Sequence, residues 1–218
     1  MRQVRFTGSP AGELRRPLFD LLASGEWVRE TRLVDWTLGT DCPAALFIVR
    51  GDSVRFEAAL AGVPDVQSYE VQHADADRFA LYVTLDTPEP LTTLFDALTT
   101  SGLVVVGPVI YRDGCVRGSL VGQAADIRSA FDSFPDSLSL TIESVTEFDV
   151  GREFPAATLT DRQLTVVRTA AKMGYYEIPR ETTHGAIAAA LDCAASTVSE
   201  HLHRAEAKLV TGALDVYE

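Results

Sequence analysis

The sequence predicts an α+β protein in two parts, an N-terminal domain of repeated βαβ units and an all-helical C-terminal domain. Three observations predict it. Strand-like apolar segments open near residues 2, 44, 78 and 114, each followed by a stretch of helical period and a second strand. The links between units are short and hairpin-like, which favours an antiparallel sheet with helices on one face over a doubly wound sheet. Beyond residue 158 the apolar period is helical throughout.

The elements follow in order. The first strand covers about 2–7, with Val4 and Phe6 on one face, and the first helix about 10–23, with Leu14, Leu18, Leu21 and Leu22 as its stripe. Val34, Trp36 and Leu38 alternate in a strand over 26–38 that turns at Gly39-Thr40-Asp41. The second unit opens with Leu46-Phe47-Ile48-Val49. Asp52 is its helix N-cap, and Phe56, Ala59 and Leu60 face inward before a strand at 66–73. Phe79, Leu81, Val83 and Leu85 alternate in the third unit. Pro88 and Pro90 then start a helix carrying Leu91, Leu94, Phe95 and Leu98, and the return strand begins at Leu103. Asp113-Gly114 is a two-residue hairpin signal opening the fourth unit: strand 115–121, helix 124–133, strand 137–148. Four such units make either tandem ferredoxin-like modules or one continuous antiparallel sheet, and the pattern fits both. The expected domains are an α+β sensory or dimerisation domain at 1–148, a linker at 149–158 and a helix-turn-helix domain at 159–218.

Composition narrows the function classes. With 218 residues and 46% hydrophobic content the chain can bury a core. No apolar run reaches membrane-spanning length, and the start Met1-Arg2-Gln3-Val4-Arg5 lacks the apolar core of a signal peptide, so a cytoplasmic location and no membrane partner are expected. Cys42, Cys115 and Cys193 lie far apart, which argues against a disulfide framework or a zinc ribbon. The net charge is −12, and the basic residues are 17 Arg against only two Lys, Lys172 and Lys208. An acidic chain nearly devoid of Lys reads as halophilic. Acidity ordinarily argues against nucleic acid. At molar salt the Debye length is ~3 Å, however, so distant carboxylates do not repel DNA.

The C-terminal segment carries the chemistry. Leu159-Thr160-Asp161-Arg162-Gln163-Leu164 is a capping box flanked by staple positions, and Gly174 is a C-terminal cap. A second helix over about 183–191 turns Ile187 and Leu191 inward, and Ala188 and Ala189 permit a close crossing. Asp192-Cys193-Ala194 is a turn in which Asp192 tolerates a left-handed φ. A third helix from about 195 to 210 buries Val198, Leu202, Ala205 and Leu209. Short helix, tight turn and longer helix make a helix-turn-helix. Its outward side carries Ser196, Glu200, His203 and Arg204, with Thr197 and Ser199 flanking. Short polar residues early in a recognition helix suit phosphate and base contacts, and Arg204 suits a phosphate or a guanine. The candidate DNA-binding residues are therefore Ser196, Thr197, Ser199, Glu200, His203 and Arg204.

The pieces LTDRQ, GYYEIPRE and STVSEHLHRAEAKL make residues 159–210 resemble the helix-turn-helix domain of haloarchaeal bacterio-opsin-activator-type regulators. Residues 1–148 resemble more weakly the sensory or associated domain that precedes it in such proteins. The resemblance implies a DNA-binding transcriptional regulator. The chain departs from the pattern at His184, where Leu is usual, and at Asp192, Cys193 and Ala194, where Gly, Ile and Ser are common. The first departure is expected to loosen the second helix. The last removes a Ser N-cap from the recognition helix.

Other residues carry blander readings. His201 and His203 point about 200° apart on a helix and cannot share a metal. Asp75 and Asp77 read as a solvated turn, and Cys193 as a small apolar filler. Tyr175 and Tyr176 read as core packing. No phosphate loop, nucleophile elbow or carboxylate pair stands out, so neither an enzyme nor a cofactor is expected. The expected partners are double-stranded DNA, a second copy of the chain, and a small-molecule effector for residues 1–148. The alternative is a protein-interaction module whose acidic helix-turn-helix docks a basal transcription factor or another regulator. Residues 159–218 carry six basic and eight acidic side chains.

Overall fold

The computed structural model describes residues 1–37, 43–86, 92–94, 98 and 101–215. The chain divides into two compact units, Met1–Phe148 and Asp149–Glu218. In the first, strands β1 (Arg2–Pro10), β2 (Val28–Trp36), β3 (Ala44–Gly51), β4 (Val66–Asp75), β5 (Arg78–Leu85), β6 (Val104–Arg112), β7 (Cys115–Gly122) and β8 (Leu138–Glu147) form one antiparallel sheet. Helices α1 (Pro17–Ser24), α2 (Ser53–Leu60) and α3 (Ala124–Ser133) lie in the connections. The helix expected from Leu91, Leu94, Phe95 and Leu98 after Pro88 and Pro90 lies largely outside the described residues, as do the Gly39-Thr40-Asp41 turn and Cys42.

The strand order is β4-β5-β3-β2-β6-β7-β1-β8. Two tandem ferredoxin-like modules would put β1 beside β3 and β5 beside β7. Instead β1 pairs with β7 and β8, and β5 with β3 and β4. Of the two arrangements the sequence left open, the sheet is the continuous one. The order repeats outward from a central seam. On one side β2 is followed by β3, β5 and β4, and on the other β6 is followed by β7, β1 and β8. A continuous sheet leaves two edges where separate modules would leave four, which limits exposed backbone donors and acceptors.

Sequence alternation places the core. Ala45, Phe47 and Val49 on β3 and Phe79, Leu81 and Val83 on β5 are buried with Leu18 and Leu22 of α1 and Phe56 and Leu60 of α2. Their cross-strand neighbours on the other face, Leu46 and Tyr82, stay 37% and 46% exposed. Asp113 and Gly114 take φ of +54° and +73°, the conformation a two-residue primed hairpin needs. Asp52 caps α2, accepting from the Val54 and Arg55 N–H groups. Asp77 is held by Arg29 and Arg50, and Asp75 by Arg78.

The first helix starts later than its apolar stripe suggests. β1 runs on to Pro10, a 3-10 turn covers Gly12–Leu14, and α1 begins at Pro17. Proline pre-sets the helical φ and forces the preceding Arg16 into an extended conformation, so the boundary falls there. Because Arg16 offers no side-chain cap, α1 is capped from elsewhere. Asp65, buried between α2 and β4, accepts from the Leu18 N–H at 3.1 Å and from the Arg16 guanidinium, whose Nε lies 3.0 Å away. Thr31 anchors the far end, donating to the Leu22 carbonyl at 2.9 Å.

Replacing Asp65 by Ala should therefore cost more than any surface carboxylate. It strands a largely covered guanidinium and an uncapped helix start. A loss of about 3 kcal/mol is expected, the lower end for breaking a buried ion pair, because Arg16 keeps some access to water. Denaturant unfolding of Asp65→Ala at molar salt checks it, and a loss under about 1 kcal/mol would reduce the pair to a surface contact.

Candidate nucleic-acid interface

The second unit is built on its own core. Residues 149–158, expected to be a linker, form helix α4 (Val150–Glu153), capped by Asp149, and a 3-10 turn over Pro155–Thr158. Helices α5 (Asp161–Lys172), α6 (His184–Ala190) and α7 (Ala195–Asp215) follow. The 149–158 segment packs on the far end of α7, which extends past the expected stop near 210. Gly212 permits this approach, since a Cβ there would lie 2.4 Å from the Pro155 Cβ.

α5 begins with a complete capping box. The Gln163 N–H donates to Thr160 Oγ1 at 3.3 Å, and the Thr160 N–H donates to Gln163 Oε1 at 3.0 Å. Lys208 of α7 adds a clamp that the sequence did not announce, donating to Gln163 Oε1 at 3.1 Å and to the Thr158 carbonyl at 2.6 Å. α7 is thereby tied to the first turn of α5. α5 ends at Gly174 (φ +74°), with the Tyr175 N–H on the Ala170 carbonyl and the Gly174 N–H on that of Ala171, a Schellman motif.

α6 and α7 meet across the turn at 191–194. Asp192 adopts φ +50°. Val166, Ala170, Tyr175, Ile187, Ala188, Val198 and Leu202 form the core, and Ala205 is also fully buried. Ala188 is buried at the crossing, whereas Ala189 faces out and contributes nothing to it. Cys193 packs against this core, half-buried. His184, expected to loosen α6, is instead anchored. Its Nε2 lies 2.8 Å from the Tyr175 hydroxyl, and the two rings stack at 5.2 Å. Arg180 covers Tyr175 at 4.4 Å from its ring centroid. Tyr175 packs as expected. Tyr176 is half-exposed and donates to Glu206 at 2.8 Å; its hydroxyl pKa is raised by burial and by the hydrogen bond to Glu206, so it stays protonated.

On α7, Ser196, Ser199, Glu200, His203 and Arg204 are exposed and Thr197 is half-buried. Ser196, Glu200, His203 and Arg204 thus lie on the helix side away from Val198, Leu202 and Ala205, with Thr197 and Ser199 flanking it. Glu200 and Arg204 are not independent, since their side chains pair at 2.6 Å across one helical turn, both largely in solvent. A short helix, a tight turn and a long helix with a polar outer face define a helix-turn-helix unit.

The comparisons place the chain within that class. Residues 159–211 match the family profile described as HTH DNA binding domain, and residues 17–148, more than half of the chain, match the HVO_0513_N family of N-terminal domains. The chain belongs to the HVO_0513_N family, and its residues 159–211 are a helix-turn-helix domain of the type found in haloarchaeal bacterio-opsin-activator-type regulators. It is 37% identical to the transcriptional regulator NarO of Haloferax volcanii over 106 residues, 49% of this chain and 46% of NarO. It is 42% identical over 67 residues, 31% of this chain, to a second protein of that organism provisionally named a transcriptional regulator, of which it covers 12%. The chain therefore spans less than half the length of each of these relatives. No helix among the described residues is long and apolar enough to cross a membrane.

One local weakness is measurable. The residue before α7 is Ala194, which has no side-chain acceptor for the free N–H groups of the first turn. Ala194→Ser should raise the stability of the full chain by about 0.5–2 kcal/mol. Thermal unfolding checks it, and an unchanged or lowered Tm would show that the turn already satisfies those groups.

Proposed function

We propose that the chain is a sequence-specific DNA-binding transcriptional regulator that places α7 in a major groove, while residues 1–148 dimerise, sense an effector, or both. The observation that carries the reading is the exposed polar side of α7, held rigid by the core beneath it and by the Lys208 clamp. Ser196, Thr197 and Ser199 are short enough to donate to phosphates near the helix N-terminus. Glu200 offers an acceptor to a cytosine amino group, and His203 and Arg204 reach base edges one turn further on. Arg204 must leave Glu200 to do so, which costs little for an exposed pair. At molar salt counterion release contributes little, so affinity leans on base readout.

The rival reading, an acidic helix-turn-helix that docks another protein, draws on the excess of acidic over basic residues in this domain and on the Glu200–Arg204 pair. Titrating full-length protein with selected operator DNA at molar salt separates the two. Arg204→Ala should weaken operator binding by about 1–3 kcal/mol and leave binding to random DNA unchanged. An equal loss on every sequence would make Arg204 a phosphate contact. An absence of sequence-selective binding by the unmodified chain would favour the protein-docking reading.

A single helix-turn-helix reads few base pairs, and dimers spanning half-sites about 34–36 Å apart are the usual remedy. Among the described residues the 149–218 unit has no strand and so no sheet edge, and its longest helix is committed to its own core. Full-length protein should then be a dimer in light scattering, and a 149–218 fragment a monomer with much weaker operator affinity. A fragment that dimerises and keeps full affinity would move the interface into the helix-turn-helix unit.

A further inference from the structure

The N-terminal unit holds a partly open cavity of about 200 Å³ on one face of its sheet, with Phe19 of α1 and Phe134 among its walls. Leu33 and Trp36 of β2, Phe47 of β3, Val109 and Tyr111 of β6 and Leu120 of β7 are among its walls. It lies over the seam where β2 meets β6, and that ladder, Thr31–Leu33 against Val109–Tyr111, is the shortest in the sheet among the described residues. Protein interiors are close-packed, and an apolar void of this size forfeits contacts that an occupant would restore. Apolar cavities of about 150 Å³ stay dry and accept a benzene-sized molecule.

The lining sets the chemistry of an occupant. Among the described residues no charged side chain borders the cavity, so an ion would enter without a partner, at a large desolvation cost. Three lining side chains carry polar atoms: Trp36, through its indole N–H, Thr37 and Tyr111. Thr37 accepts from the Ala44 N–H at 2.9 Å, which leaves its own O–H to donate. The Tyr111 hydroxyl has no hydrogen-bond partner among the described residues, and burial pushes its pKa up to about 12, so it stays neutral. Phe19 and Phe47 both contact the Tyr111 ring, at 5.9 Å between centroids, so the aromatic wall is held in place.

We propose that this cavity is the effector site, and that it takes a small, uncharged, largely apolar molecule of about the size of one aromatic ring with at most one or two hydrogen-bonding groups. The proposal rests on the effector reading above and names the ligand class for it. An occupant contacts Leu33, Val109 and Tyr111, three of the residues that join the two half-sheets, so binding stiffens the weakest joint of the unit.

The test uses the full chain at molar salt with cyclohexanol, phenol and toluene as neutral probes and benzoate as the charged control. Trp36 lines the cavity, and the chain has two Trp, so a Trp27→Phe background makes Trp36 the sole fluorophore. The neutral probes should change Trp36 fluorescence saturably and, at roughly 100 times Kd, raise Tm by several degrees, whereas benzoate should do neither. Val109→Phe, which fills the cavity, should weaken probe binding roughly tenfold or more, and the milder Val109→Leu should weaken it less. Both variants are checked for a native circular dichroism spectrum. No saturable response to any neutral probe, an equal response to benzoate, or an undiminished response in folded Val109→Phe would overturn the site. Failure of the effector reading looks different: probes bind at Trp36 and the cavity site stands, but operator affinity does not change.

Discussion

The pairing of β2 with β6 is the constraint on which the N-terminal unit depends. Thr31–Leu33 and Val109–Tyr111 make the only ladder that joins the two half-sheets among the described residues. The chain crosses this seam twice, from β1 to β2 through α1 and from β5 to β6. One half-sheet, β2 to β5, is a contiguous stretch of chain, whereas the other is completed only by β1, which lies before β2 in sequence. β1 is needed between β7 and β8, and β5 between β3 and β4. The insertion of β1 and the shared seam couple the two halves, because losing the seam exposes the inner edges of both at once. α1 braces the joint. Its start is capped by Asp65 and its end is tied to Thr31, a seam residue.

The second unit solves a smaller version of the same problem. About seventy residues with small helices supply little apolar area, so polar contacts at helix ends carry more of the specification. The capping box, the Schellman motif and the left-handed Asp192 each satisfy or redirect backbone groups where one helix gives way to the next. The two lysines retained by this Arg-rich chain both serve this purpose. Lys172 lies in the last turn of α5, where a cation complements the helix dipole. Lys208 delivers two hydrogen bonds from one ammonium to acceptors on a neighbouring segment.

Elements with strong local chemistry were legible in the sequence. Alternation marked Phe79, Leu81 and Val83 as one buried face, Asp52 and Thr160 marked helix starts, and Asp113-Gly114 marked a hairpin. Pairing across distance was not legible. Nothing in β1 says that its partners lie more than a hundred residues away, since any strand with one apolar face can sit on either side of the seam. The same limit hid Asp65, a loop carboxylate by composition, and Lys208, which reads as a solvated helix charge until α5 is set beside it. In the candidate interface, the outward side of α7 followed directly from the 3.6-residue period. The Glu200–Arg204 pair could have been read from i,i+4 spacing alone. Residues 149–158 passed for a linker because Gly151 and Pro155 break the local period, and it is tertiary packing at Gly212 that gives them structure.

On the proposed function, acidity and DNA recognition are compatible because they act over different distances. At molar salt an exposed carboxylate is screened within about 3 Å, so the overall charge of −12 exerts little field at a groove surface. What survives screening is contact: hydrogen bonds to base edges and shape fit. In dilute buffer the Glu200–Arg204 pair would compete with a guanine for the guanidinium, and unneutralised acids would repel the duplex. In concentrated salt the exposed pair contributes little, and on that reading Arg204 would exchange one acceptor for another at small cost. A recognition helix with few free cations is thus poorly suited to holding arbitrary DNA and better suited to discriminating among sequences. The same salt that removes counterion release also removes most of the non-specific background.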